Sequence, residues 1–263
     1  MRLSASSIKE GRECLVKTHW KYILKEKGEP QSIHALFGST LHDLIRLAFK
    51  YKQFEKSNFF EHYWKIMFEE DFCEQAVKLE TESLIIQNFY LEGDRILKGF
   101  KDSILMRGWN NIKILEIEDY FRVKITEDLT FSGYIDLVFE KDNQTYLVDW
   151  KSNRYAMSQN EVDESIQLTM YYYAMHNKNV DIDYLGLYFL RHNRFVTTVR
   201  NKKDTYKLLT NGIELKEQLD QDILLANMSK ENCKWCEYKS KCKAYIKKKP
   251  LKYDKIKEVF YVL

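Results

Sequence analysis

The chain has 263 residues, 44% hydrophobic and 31% charged, with 42 Lys and Arg against 39 Asp and Glu for a net charge of +3. At roughly 150 residues per domain this is nearer two units than one. With 2 Pro and 9 Gly beside 18 Tyr, 15 Phe and 5 Trp, collagen-like, linker-rich, low-complexity and disordered classes are excluded.

In chain order, a helix is predicted over Ser7 to Lys25, capped by Ser6 or Ser7, followed by a turn at Pro30. A second helix is expected after Gly38-Ser39-Thr40, where Leu41, Leu44, Ile45 and Ala48 form one apolar stripe. Two more fall between about Asn58 and Arg107, the second with Leu84, Ile85, Phe89, Ile96, Leu97, Phe100 and Ile104 as its apolar positions. From Gly108 the pattern changes. Ile112 to Glu118 and Tyr120 to Ile125 alternate as a strand or hairpin edge does, and Phe131 to Glu140 and Tyr146 to Trp150 read as strands joined by a turn at Asp142-Asn143-Gln144. A helix over Glu161 to Asn177, strands over Tyr184 to Arg191 and Phe195 to Arg200, and a helix over Lys203 to Ala226 follow. The Lys-rich tail from Cys233 ends in the apolar Val259-Phe260-Tyr261-Val262-Leu263. Helices first and then a βββαββα unit predict an α/β core with a helical insertion or cap.

Gly133-Tyr134-Ile135-Asp136 is followed, thirteen residues on, by Asp149-Trp150-Lys151. Asp149 and Lys151 share one face of a strand, and a hairpin pairing brings Asp136 beside them. Asp and Lys at i and i+2 are often an ordinary exposed pair. Here, however, Asp149 follows the apolar Tyr146-Leu147-Val148 and so ends a buried strand, where an unpaired charge is costly. Two converging carboxylates suit a Mg²⁺ or Mn²⁺ ion between them. An adjacent ammonium that orients water and meets charge on a phosphate completes the chemistry of phosphodiester hydrolysis.

The cysteines carry a second signal. Cys233-x2-Cys236-x5-Cys242 puts three thiols within ten residues, while Cys14 and Cys73 stand apart. In a reducing compartment these five do not read as a disulfide framework. A Cys-x2-Cys loop presents two sulfurs to one metal, in zinc and iron–sulfur sites alike. No His follows Cys233, so a fourth ligand must be remote, with Cys14 and Cys73 the free candidates. Cys73, among Phe72, Ala76 and Val77, reads most simply as a core residue.

Gly-x-Ile-Asp followed by Asp-x-Lys resembles the PD-(D/E)xK nuclease superfamily, and within it the RecB/AddB-type nuclease domains and the CRISPR-associated iron–sulfur exonucleases. Gly38-Ser39-Thr40-Leu41-His42 is similar to that branch's Gly-x-x-x-His element, Glu118-Asp119-Tyr120-Phe121 to its Glu-x-x-aromatic strand, and Gln167-Leu168-Thr169-Met170-Tyr171 to its Gln-x-x-x-Tyr helix. Glu118 competes with Glu116, which alternation places on the same face, and is preferred because it keeps the spacing to Phe121. Ile135 stands where the superfamily's dipeptide has proline, and Leu15 where the iron–sulfur branch has proline after its upstream Cys.

The resemblance implies a restriction-endonuclease-like fold: a central mixed β-sheet flanked by helices, a helical N-terminal region and a C-terminal iron–sulfur lobe. As a single nuclease unit, 1–110 would supply Cys14 and His42, 111–228 the catalytic core, and 229–263 the cysteine lobe and basic tail. It implies a divalent ion held by His42, Asp136, Asp149 and the Trp150 carbonyl, with Glu118 beside it. Lys151 would position the water, and Gln167 and Tyr171 would support the lysine or touch the DNA backbone. It also implies a 4Fe–4S cluster on Cys14, Cys233, Cys236 and Cys242, with zinc as the rival metal.

The expected function is DNA hydrolysis, most directly from an end. The alternatives are a structure-specific endonuclease, a CRISPR-adaptation trimming nuclease working with an integrase, and a non-catalytic cluster-bearing subunit of a helicase complex. The sequence has no Gly-x4-Gly-Lys-Ser/Thr loop, so any unwinding is assigned to a partner. The tail lysines 239, 241, 243, 247, 248, 249 and 252 either line a DNA path or form a solvated tail. No apolar run nears the ~18 residues of a membrane span, and Met1 to Ser7 has no apolar signal core. The expected location is the cytoplasm, or the host-cell interior for a viral gene.

Overall fold

The computed structural model describes residues 1–28, 32–56, 58–234 and 236–262. Pro30, read as a turn, and Leu263, the last residue of the apolar tail, lie outside them. The N-terminal part comprises strand β1 (Arg2–Leu3) and helices α1 (Ala5–Glu13), α2 (Leu15–Thr18), α3 (Ile33–Lys50), α4 (Phe59–Met67), α5 (Cys73–Lys78) and α6 (Ser83–Met106). Strands β2 (Lys113–Lys124), β3 (Thr130–Lys141) and β4 (Gln144–Lys151) follow, then α7 (Gln159–Asp163), α8 (Ile166–Asn177), β5 (Tyr184–Phe189), β6 (Arg194–Thr198) and α9 (Lys202–Asp220). The C-terminal part holds β7 (Ile223–Ala226), short helices α10 (Lys230–Lys234) and α11 (Lys243–Lys247), and strands β8 (Leu251–Asp254) and β9 (Val259–Val262). The fold is α/β, with a central mixed sheet flanked by helices. No helix among the described residues is long and apolar enough to cross a membrane.

The sheet runs β1-β3-β4-β5-β6, with β2 on the other edge of β3. β1 joins β3 and β5 joins β4 in parallel; the other pairings are antiparallel. The β3–β4 turn is set by Asp142 and Asn143, whose φ values of 52° and 59° are left-handed, the conformation a two-residue hairpin requires. On one face Leu3, Phe131, Ile135, Leu147 and Leu187 pack under α1, α8 and α9. On the other, Leu137, Phe139, Val148 and Trp150 pack under α3, α4 and α6, a core dominated by rings such as Phe49, Phe100 and Trp64.

Several sequence expectations shift. The first helix is capped by Ser4, whose hydroxyl accepts from the Ser7 N–H, rather than by Ser6 or Ser7. It breaks at Cys14, whose backbone is extended at φ −161°, ψ 112°, and resumes as α2 and a π-turn, His19–Ile23. α3 starts at its Ser32 cap, not after Thr40, because Leu36 and Phe37 belong to the same buried face. Gly38 therefore lies inside the helix; a Cβ there would stand 2.6 Å from Ser152 Oγ, so the glycine lets α3 close onto the end of β4. Helix 161–177 is two helices, since Ser158 caps α7 and Ser165 caps α8. The helix expected to reach Ala226 ends at Asp220, because Ile223–Ala226 pairs with β8 in a second sheet, β7-β8-β9.

Candidate active site and cysteine pocket

The pairing of β3 with β4 ends at Leu137↔Val148, and β1 meets β3 only at Thr130 and Phe131. Residues 132–136 thus face a fork in the sheet. Asp136 sits at its apex and accepts a hydrogen bond from the Trp150 N–H across it at 2.8 Å. Helices reach the fork from both faces. From α3, His42 Nδ1 stands 3.6 Å from Asp136 Oδ2, with the Trp150 carbonyl against its ring. From α8, the Gln167 amide donates to Asp149 Oδ1 at 2.8 Å and to the Tyr171 hydroxyl at 2.6 Å. Its carbonyl accepts from the Lys151 ammonium at 2.7 Å. Tyr171 itself donates to Asp149 Oδ1 at 3.4 Å. Gln167 and Tyr171 are thus four residues apart on one helical face and both serve Asp149.

The structure separates Glu118 from Glu116. Ile117 pairs with Leu137 and Asp119 with Ile135, so Glu118 lies opposite Asp136. Its φ of 45° interrupts the alternation of β2, and the two glutamates leave on different faces rather than the same one. Glu116 and Asp119 are held by Lys178, which caps the C-terminus of α8, whereas Glu118 is held by Arg46 Nε of α3 at 3.2 Å. Arg46 was missed by the sequence reading, although it follows His42 by four residues and so shares its helical face. Arg191 was also missed; it donates to the Ser152 carbonyl at 2.7 Å, just beyond Lys151, and pairs with Glu92.

The electrostatics follow from crowding acids in a poorly solvated fork. Burial first, and then the neighbouring Asp149, raise the Asp136 carboxyl well above the ordinary range. Burial lowers His42, keeping the imidazole neutral, and burial with the charges of Asp149 and Asp136 pushes the Tyr171 phenol up. Asp149 is 2% exposed. Its Oδ2 lies 2.7 Å from Lys151 Nζ but in no hydrogen-bonding geometry, so it is a buried oxygen with no hydrogen-bond donor. An orphaned carboxylate oxygen, a second carboxylate and a neutral imidazole are a donor set that fits a hard divalent cation. Among the described residues, no three His, Cys, Asp or Glu side chains are already closed around a common centre.

A family model for the PD-(D/E)XK nuclease superfamily matches residues 2–243. The chain belongs to this superfamily. Its members are phosphodiester-hydrolysing enzymes of nucleic acid that typically use a divalent metal such as Mg²⁺. This PD-(D/E)XK chain is also similar to a solved structure, the crystal structure of SSO0001, at 14% identity and a TM-score of 0.39, covering 88% of this chain and 95% of that one. A likeness of that extent adds nothing about the site. No curated protein matches the sequence.

Away from the fork, Cys14, Cys233, Cys236 and Cys242 all line one small pocket, together with Val16, Trp20 and Ala244. Cys73 is not in that lining and packs against the α3–α6 core instead. Burial pushes the Cys14 thiol up and Cys236 up to about 11. The extended backbone at Cys14 is the break between α1 and α2, and a continuous helix would not present the same geometry. Around the pocket the two chain ends are pinned together. Lys21 bridges Glu10 at 3.0 Å and Glu237 at 2.9 Å, with Lys17 beside both. Trp20 meets Tyr238, Tyr253 and Phe260 edge-on. Of the tail lysines, Lys241 is committed to Glu26 and to the Trp20 ring, 4.4 Å away, and Lys239 lines the pocket. Lysines 243, 247, 248, 249 and 252 are exposed.

Proposed function

We propose that the protein is a metal-dependent DNA nuclease of the RecB/AddB-type, CRISPR-associated iron–sulfur branch, hydrolysing phosphodiester bonds from DNA ends. The observation that carries this reading is the fork, where Asp136, Asp149, Lys151, Glu118 and His42 converge from strands β2, β3 and β4 and from helix α3 at a break in the sheet. Asp136, Asp149, His42 and the Trp150 carbonyl would hold Mg²⁺ or Mn²⁺, with Glu118 beside them. The ion would supply Lewis-acid polarisation of the phosphate. Lys151, gripped between Asp149 and the Gln167 carbonyl, orients the attacking water and meets the negative charge that builds on the phosphate. Gln167 and Tyr171 hold Asp149 facing the fork by donating to its Oδ1. Arg46 holds Glu118 on the α3 side.

The second part of the reading is a 4Fe–4S cluster on Cys14, Cys233, Cys236 and Cys242. Its support is that the four thiols, separated into two distant groups in sequence, line one pocket from which Cys73 is absent. Soft thiolates suit iron–sulfur clusters and zinc alike, and the cluster follows from the resemblance to the iron–sulfur branch. The test of the catalytic reading is digestion of 5′- and 3′-labelled single- and double-stranded DNA with Mg²⁺ or Mn²⁺. Stepwise shortening from one labelled end supports it, internal cutting supports an endonuclease, and no cutting of any substrate overturns it.

A further inference from the structure

Tyr120 and Tyr134 are a directly opposed cross-strand pair on β2 and β3, with ring centroids 5.1 Å apart. They are 43% and 61% exposed, unlike most rings in this chain, which sit in the two cores. Their neighbours Phe121 and Ile135 are buried under α8, so the tyrosines leave the opposite face, the one from which His42 and Arg46 approach. Tyr134 is two residues from Asp136, about 7 Å along the strand. The same alternation puts Arg122 and Lys124 of β2 on this face, and Arg2 joins them because it pairs with Thr130 beside the buried Leu3–Phe131 pair. All three cations are exposed. Lys124 pairs with Glu127, whereas Arg2 and Arg122 enter no ion pair with a described residue. The acids at the fork end of the strip are already answered, Glu118 by Arg46 and Asp119 by Lys178 from the far face.

Exposed rings interleaved with unpaired cations are the surface that tracks a single nucleic-acid strand, bases on the rings and phosphates on the arginines. We propose that Tyr120 and Tyr134 are a stacking step for an unpaired base of single-stranded DNA entering the fork, with Arg122 and Arg2 on the backbone phosphates. The proposal deepens the nuclease reading and rests on it for the position of the scissile phosphate. A base inside a duplex has no free face to offer, so the step selects single strands or frayed ends over blunt duplexes.

The test is binding of short fluorescent single-stranded oligonucleotides, by anisotropy in EDTA so that no strand is cut, with a single abasic position moved along the strand. For the wild type, one or two abasic positions should weaken binding about tenfold, the scale of one lost base–aromatic stack. Tyr120→Ala/Tyr134→Ala should weaken the intact oligonucleotide by a similar factor and flatten the scan, while Tyr120→Phe/Tyr134→Phe keeps both. A flat scan with the wild type overturns the stacking step. So does an Ala/Ala variant that binds as the wild type does, or light scattering showing that the wild type buries these rings in a dimer that the variant breaks. Failure of the nuclease reading looks different: a normal abasic scan with no cleavage of any labelled substrate in Mg²⁺ or Mn²⁺.

Discussion

Replacing Gln167 by leucine isolates what holds the candidate catalytic lysine, because the volume is nearly kept while three polar contacts go. The amide donates to Asp149 Oδ1 at 2.8 Å and to the Tyr171 hydroxyl at 2.6 Å, and accepts from Lys151 at 2.7 Å. Lys151 is partly exposed and turns to water at little cost. Asp149, 2% exposed, cannot, and keeps only the 3.4 Å contact from Tyr171 as a hydrogen bond. A hydrogen bond to a charged group is worth about 1.5–3 kcal/mol, and contacts in one network do not simply add. The expected loss is therefore about 2 kcal/mol of unfolding free energy, read as a lower urea midpoint at unchanged slope. Freed from its grip, Lys151 no longer keeps one position. A misplacement on the order of 1 Å costs about a hundredfold, so kcat on labelled single-stranded DNA should fall by a factor of about 30–100 with KM little changed. A Gln167→Leu enzyme within about 0.5 kcal/mol of the wild type and with its full kcat would show that Gln167 neither stabilises Asp149 nor positions Lys151.

Asp149→Ala and Lys151→Ala should each abolish cleavage while leaving the circular-dichroism spectrum and DNA binding largely intact, and persistent cutting at the wild-type rate would remove the fork as the site. Wild-type activity should need Mg²⁺ or Mn²⁺, vanish in EDTA and be indifferent to ATP; robust digestion in excess chelator decides against a metal mechanism. Protein purified anaerobically should be brown with about four irons per chain, and Cys14→Ala should lose that iron and some stability while Cys73→Ala keeps both. Colourless protein with one zinc would replace the cofactor and leave the catalytic reading standing. The Glu237 carboxyl titrates below its ordinary value: burial works against this, but the hydrogen bond from Lys21 and the charge of Lys17 outweigh it. Its stabilising effect is therefore complete above the unfolded pKa and is lost as pH falls through the lower folded one. Urea midpoints of the wild type should drop between about pH 5 and pH 3 more than those of Glu237→Gln, and equal drops would remove the bridge as a source of acid sensitivity.

The sheet was legible because its signals are local. Alternation located β3 to β6, and Asp142-Asn143 marked the hairpin that brings Asp136 toward Asp149. The fork was not legible, since it depends on where β3 leaves β4 and where β1 joins, and pairing ends leave no mark in composition. Alternation also misplaced Glu118, because a left-handed residue inside a strand exchanges its faces and a glutamate gives no hint of it. A helix start after Gly38-Ser39-Thr40 is the natural expectation, because glycine is costly inside helices, and only the approach of Ser152 explains the place of Gly38 inside α3. The break at Cys14 escaped because the residues around it carry good helical periodicity, which the thiol pocket overrides. At the C-terminal end, Ile223–Ala226 reads equally well as helix or strand, and its partner β8 lies 25 residues further on.

The thiol pocket also constrains the order in which the protein is built. Cys14 and Cys233 are separated by 219 residues, and at roughly 5–20 residues per second a ribosome takes about 10–45 seconds to bridge that interval. Throughout it, Cys14 is a lone thiol, and Trp20 lacks the Tyr238, Tyr253 and Phe260 edges that later cover it. The nuclease sheet, by contrast, needs nothing beyond β6 to close its hydrogen bonds. On the cluster proposed for this pocket, metal loading would be the last event of maturation, acting on a chain whose sheet has already assembled. Under that proposal, a cell short of iron or sulfide would accumulate molecules with a formed sheet and an open, aromatic-lined seam between their first and last segments.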